Sequence, residues 1–256
     1  VYTRATMNGK RALCLGGAKN HIFLLPDAHK KMSGKGIRDS FTGCAGQRCM
    51  AASVLLAIGP VEEQLQELVS ETQKIVLGDS MGAIITQEKR DQLIKYIEQA
   101  EKEGAKILVD GRNFKAPEGK EKGHWLGPTI IDQVAPQSEL ATKELFGPIL
   151  SIIRCGDLSQ AIEIENKNPY GNAASVFTSS GALAEKVVRR ARAAMVGINV
   201  GVPVPREPFS FAGIFDSKFG HGEITGQGSL SFWSDLKKVT TRWEESSEEG
   251  FASWMS

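Results

Sequence analysis

Cysteine and histidine are scarce in this sequence, four of each in 256 residues. Cys14, Cys44, Cys49 and Cys155 form no Cys-x-x-Cys pair, and His21, His29, His124 and His221 are scattered. A zinc site is therefore disfavoured, and no metal is expected. The even cysteine count permits disulfides, but at this size and with no secretory segment free thiols in a reducing compartment are the better reading. Net charge is also low, with Lys+Arg 31 against Asp+Glu 30, so nothing points to nucleic acid or an anionic membrane. Long apolar runs are missing: Ile22 to Leu25 and Val54 to Ile58 fall well short of the roughly 20 residues that span a bilayer. No Gly-x-Gly-x-x-Gly, no Gly-x-x-x-x-Gly-Lys-Ser/Thr and no Gly-x-Ser-x-Gly occurs, so neither a nucleotide-phosphate loop nor a serine elbow is visible.

What is present is ordinary globular material. Hydrophobic residues make up 41% and charged residues 24%, enough to form a core and to argue against disorder. The length suits one large domain or two modest ones. Residue 1 is Val and already lies in a helix-like stretch, Val1 to Met7, so the chain reads as a fragment that begins inside a domain.

Strand-like and helix-like segments alternate. Arg11 to Leu15 and Ile22 to Leu25 read as short strands around Gly16-Gly17, and Asp27 as the N-cap of the next helix. Val61 to Val76 and Gln87 to Gly104 have helical spacing, the second closed by its glycine. Ile107 to Val109, Thr129 to Asp132, Pro148 to Ile153, Ala174 to Phe177 and Val196 to Val200 read as strands. Ser159 to Asn166 and Ala182 to Ala194 read as helices, Asn113 to Gly123 as a polar loop, and Val202 to Gly228 as a long ordered loop. The alternation predicts an α/β fold with a largely parallel sheet. Leu236 to Trp243 reads as a late edge strand and Glu244 to Glu249 as an acidic exposed tail.

Three segments could carry chemistry. Cys49 follows Gly43-Cys44-Ala45-Gly46-Gln47-Arg48 and precedes the apolar, helix-like run Met50 to Ile58. A helix start and the neighbouring Arg48 would both favour the thiolate, the nucleophilic form; a buried, inert cysteine is the plainer alternative. Glu144-Leu145-Phe146-Gly147-Pro148 sets an acid beside an aromatic and a tight turn, either to hold a ligand hydroxyl or as an exposed turn acid. Asn168-Pro169-Tyr170-Gly171-Asn172 is a turn by composition.

Together these segments are specific. Gly46-Gln47-Arg48-Cys49, followed 95 residues later by Glu144-Leu-Phe-Gly-Pro and then by Asn168-Pro-Tyr-Gly-Asn, resembles the aldehyde dehydrogenase superfamily over essentially the whole chain. Asn8-Gly9-Lys10-Arg11, Gly17-Ala18-Lys19-Asn20-His21, Pro26-Asp27-Ala28 and Gly46 to Met50 look most like its methylmalonate-semialdehyde dehydrogenase branch, which makes an acyl-CoA. The resemblance implies that Cys49 attacks the aldehyde and, after hydride transfer to NAD, carries a thioester that coenzyme A receives. It implies that Glu144 holds the nicotinamide ribose and that Phe146 packs near the nicotinamide. Lys19 matches the lysine of the family's Glu-Leu-Gly-Gly-Lys segment.

Where hydrolytic members carry a glutamate, 34 residues before the nucleophile, this chain has Leu15. Leucine cannot accept a proton, so a thioester here is expected to resist water and wait for a thiol. Asparagine is usual there in the semialdehyde branch, so Leu15 also departs from the nearest relatives. The resemblance divides the chain into residues 1–17 (the end of an NAD-binding domain), 18–235 (the catalytic domain) and 236–256 (an oligomerisation strand and tail). It implies a homo-dimer or homo-tetramer, cytoplasmic or, in a eukaryote, in the mitochondrial matrix. Competing readings are a hydrolytic aldehyde dehydrogenase, a thiol acyltransferase or esterase without NAD, and a truncated, non-catalytic dimerisation module. Most of the family's dinucleotide-binding half would precede residue 1. The 256-residue chain alone is accordingly expected to bind NAD weakly or not at all and to show no dehydrogenase turnover; micromolar NAD binding by calorimetry would refute this.

Overall fold

The computed structural model describes residues 1–243. Along the chain run α1 (Tyr2–Met7), β1 (Cys14–Leu15), β2 (Asn20–Leu24), α2 (Lys30–Thr42), β3 (Ala52–Ile58), α3 (Glu62–Gln73) and α4 (Gln87–Lys102). Then follow β4 (Lys106–Val109), β5 (Thr129–Asp132), α5 (Glu139–Thr142), β6 (Ile149–Cys155), α6 (Leu158–Asn166), β7 (Tyr170–Gly171) and β8 (Ala173–Phe177). The last elements are α7 (Gly181–Arg190), β9 (Met195–Ile198), β10 (Ile214–Phe215), β11 (Lys218–Phe219) and α8 (Gly226–Trp233).

Seven strands form one sheet in the order β4-β5-β6-β3-β2-β8-β9. Every pair is parallel except β4 with β5 at one edge. Parallel strands are covered on both faces, which explains why β2 and β8 are buried at every residue, their polar Asn20, His21 and Ser175 included. The two-residue alternation sorts their side chains. Ile22, Leu24, Leu55, Ala57 and Ile152 pack with Ile37 and Phe41 of α2 and Leu65 and Leu68 of α3. Phe23, Val54, Leu56 and Ile153 face the other way, onto Leu93 and Ile97 of α4, Ile162 of α6 and Val187 of α7. The result is a helix–sheet–helix sandwich.

Several sequence expectations need correction. Met50 to Ile58 is not helical; Ala52–Ile58 is the buried strand β3, since a short apolar run has no period to separate the two states. Cys49 therefore does not sit at a helix start. Asp27 does not cap α2; His29 does, accepting from the Met32 N–H. Asp27 instead accepts from the Thr178 hydroxyl at 2.8 Å and the Ser179 N–H at 3.0 Å, tying the carboxyl ends of β2 and β8 together. The strand expected at Arg11 to Leu15 shrinks to Cys14–Leu15 and pairs with β11, outside the main sheet. The helix expected to reach Ala194 stops at Arg190. The long loop from Val202 holds β10, β11 and the start of α8.

Leu236 to Trp243 forms no strand within the single chain. A strand needs a hydrogen-bonded neighbour, and here Leu236, Val239 and Trp243 stand 85%, 76% and 89% exposed. The acidic segment Glu244 to Glu249 lies outside the described residues. No helix among the described residues is long and apolar enough to cross a membrane.

Candidate active site

The amino ends of β2, β3, β6 and β8 lie side by side in the sheet, and each is preceded by a segment singled out in the sequence. The parallel register therefore brings together residues far apart in the chain. Cys49, Glu144 and Phe146 line one narrow cleft, with Ala18, Asn20, Gly46, Arg48 and Gly147 around them.

Two glycines allow close packing around this cleft. A Cβ on Gly46, where φ is +67°, would lie 2.2 Å from the Gly147 carbonyl oxygen, and a Cβ on Gly147 would lie 2.5 Å from Leu93. Only glycine lets the Cys49 turn and the Glu144–Gly147 turn abut in this way. Phe146 itself has φ 53°, a strained conformation for an aromatic residue, and presents its ring to solvent at the cleft.

The nucleophile candidate is exposed and its backbone is pinned. The Cys49 carbonyl accepts hydrogen bonds from the side-chain amides of Asn20 and Asn172, each at 2.8 Å. Asn20 also donates to the Ala51 carbonyl at 2.8 Å, and its own oxygen accepts from the Ala173 N–H at 3.1 Å. Gln47 anchors the other side of the turn, accepting from the Ile85 N–H and donating to the Ala83 carbonyl. Asn20 and Asn172 were not identified as site residues in the sequence. The available signal was a polar amide at the mouth of each of two buried strands.

The expected role of Arg48 changes. It lines the cleft, but its guanidinium donates to the carbonyls of Asp39 and Ser40 in the last turn of α2, at 2.6 and 3.0 Å. Its charge complements that helix end. Arg38 pairs with Asp39 and Glu71.

Glu144 is half-buried and accepts from the Ala18 N–H. Burial pushes its carboxyl above the ordinary glutamate value, and the Ala18 N–H and the Lys19 charge oppose that shift. Lys19 is 2% exposed, and its Nζ has no hydrogen-bond partner. Burial lowers its pKa to about 7. Two residues on, in β2, His21 is held near 3 by burial and by Lys19, so its imidazole is neutral at physiological pH. Leu15 is half-exposed on β1, and Glu144 is the one carboxylate among the cleft-lining residues. Among the described residues no group of three or more His, Cys, Asp or Glu is arranged to hold a metal.

Two outcomes follow from this geometry. Iodoacetamide mapped by peptide mass spectrometry at neutral pH should label exposed Cys49 and Cys44 and spare Cys155, which is buried with its thiol pushed up to about 11. N172D should destabilise more than N172A in urea denaturation. Alanine only removes a donor, at ~1–3 kcal/mol, whereas aspartate sets an anion against the Cys49 carbonyl.

Residues 1–239 match the aldehyde dehydrogenase family. A Drosophila pseudoobscura pseudoobscura relative, assigned as an acylating, mitochondrial methylmalonate-semialdehyde/malonate-semialdehyde dehydrogenase, is 40% identical over 96% of this chain and 48% of its own length. The crystal structure of methylmalonate-semialdehyde dehydrogenase from Oceanimonas doudoroffii superposes with a TM-score of 0.90 at 36% identity, over 96% of this chain and 52% of that one. Mycobacterium tuberculosis aldehyde dehydrogenase, complexed with NAD+, superposes with a TM-score of 0.79 at 26% identity, over 90% and 48%. The chain thus spans about half the length of the curated relatives it matches. With the family match running from residue 1 to 239, this chain belongs to the aldehyde dehydrogenase family.

Proposed function

We propose that the protein carrying this chain oxidises a malonate- or methylmalonate-type semialdehyde with NAD and passes the acyl group to coenzyme A. The observation that carries the reading is the convergence of exposed Cys49 with Glu144 and Phe146 at one cleft, in a fold shared with semialdehyde dehydrogenases.

The Cys49 thiolate adds to the aldehyde carbon, forming a C–S bond and an alkoxide. The two asparagine amides hold the Cys49 backbone so that the sulfur faces the cleft from a fixed turn. NAD, when bound, supplies the acceptor for the hydride and its electron pair. The residues present fit the nicotinamide end of that cofactor: Glu144 offers a carboxylate able to accept from ribose hydroxyls, and Phe146 an exposed ring beside it. The product on Cys49 is a thioester. A CoA thiolate then attacks its carbonyl, the bond to Cys49 breaks, and the Cys49 thiolate is restored.

Leu15 supports transfer to a thiol over hydrolysis, because it offers no base to activate water. The domain division at residues 17 and 235 belongs to the same proposal, as does assembly into a homo-dimer or homo-tetramer through Leu236 to Trp243. The uncovered apolar side chains of that segment support the assembly. In the active protein, steady NADH formation should require CoA, and L15E should raise CoA-independent turnover on the order of 100-fold, as an added general base would. Equal NADH formation with and without CoA would overturn the reading.

A further inference from the structure

A hydroxyl has one proton to give and lone pairs to receive with, so a buried one that uses both fixes two partners at once. Ser217 is 5% exposed and sits in the turn between β10 and β11. Its hydroxyl donates to the Gly17 carbonyl at 2.7 Å and accepts from the Gly171 N–H at 3.1 Å. Its own carbonyl accepts from the Gly16 N–H at 3.0 Å. No step of the proposed chemistry uses this residue, yet its partners adjoin the cleft.

Gly17 is the backbone position that both the Glu144 carboxylate and the Tyr170 ring abut. A Cβ there would lie 3.1 Å from Glu144 Oε2 and 2.8 Å from the ring. Ser217 holds this position through Gly16 and Gly17, and it holds Gly171, the residue after Tyr170. The grip of its hydroxyl reaches Glu144 through a single peptide unit. The Gly17–Ala18 peptide is trans and planar, so its C=O and N–H point in opposite directions. Ser217 takes the C=O end, and the Ala18 N–H at the other end is donated to Glu144. Any rotation of the carbonyl turns the donor with it.

We infer that Ser217 is a positioning residue for Glu144: its hydroxyl locks the Gly17–Ala18 peptide to the Tyr170–Gly171 strand and so sets the carboxylate in place to accept hydrogen bonds from a ribose diol. The inference rests on the reading of Glu144 as a ribose-binding group. The competing role is a hold on the thiol, because Gly171 leads into Asn172, which bonds the Cys49 carbonyl.

The two roles separate in the chain without cofactor. The protein is labelled with 13C-glutamate, and the Glu144 carboxyl resonance is identified by its loss in E144Q. That resonance should be displaced in S217A, while the iodoacetamide rate at Cys49 stays that of the parent. An unmoved Glu144 resonance overturns the inference. A Cys49 rate changed severalfold overturns it as well, since Ser217 would then support the whole cleft and not Glu144. S217C, with a weakly hydrogen-bonding thiol, replaces S217A if that variant does not fold. In the active protein S217A should raise the KM for NAD roughly 2- to 10-fold, the range of one lost hydrogen bond, and add nothing in an E144Q background. Effects that multiply, with E144Q itself raising that KM, overturn the inference. If E144Q leaves the KM unchanged while the Glu144 resonance still moves in S217A, the ribose reading fails and the Ser217–Glu144 link stands.

Discussion

Two buried amides, from Asn20 and Asn172, hold the carbonyl of Cys49, and the geometry of the cleft follows from that point. Asn20 leads into β2 and Asn172 into β8, so the two hydrogen bonds are also a measure of how those strands sit against each other. Asn20 closes the circuit by accepting from Ala173 while donating to Ala51. Three chain segments are thus joined at one residue, and that residue is the nucleophile candidate. The sheet sets the positions and the amides transmit them to the thiol.

The cleft lies at an uncommon end of the sheet. In open α/β sheets ligands usually gather beyond the carboxyl ends of the strands. Here the carboxyl ends of β2, β8 and β9 are stitched shut. Asp27 binds Thr178 and Ser179, and Asn199 exchanges hydrogen bonds with the backbone of Thr178 in both directions. The amino ends remain open and hold the candidate site. Segments entering a strand can point a backbone N–H at a carboxylate, as Ala18 does to Glu144. Glycine at position 46 lets two such segments meet without a side chain between them, and glycine at 147 lets the second lie close against Leu93 of α4.

Much of this was legible in the sequence. The α/β class and most element positions followed from alternation, whereas the grouping of Cys49, Glu144 and Phe146 was implied by the family resemblance that three short motifs carry. The misses have physical causes. Met50 to Ile58 contains too few turns to distinguish a buried strand from a helix, so the thiol was assigned a helix dipole that it does not have. Arg48 was taken as its countercharge, but guanidinium hydrogen bonds go to the nearest unsatisfied carbonyls, those ending α2. Leu236 to Trp243 has a strand's composition without a strand's neighbour in the chain. Asn20 and Asn172 could not be paired from sequence because their meeting depends on the strand order, not on spacing.

The bond between Asn172 and Cys49 spans 123 residues. At ~5–20 residues per second, synthesis of that stretch takes roughly 6–25 s. Through that interval the thiol has no β8 to fix it, and for the first 95 residues no Glu144 turn to face it. The parallel order places β8 beside β2, so the candidate cleft around Cys49 is complete only once the strand made last in the central group has docked. The same topology that builds the cleft therefore acts as a timer, keeping the Cys49 thiol out of its finished setting while the chain is still being made.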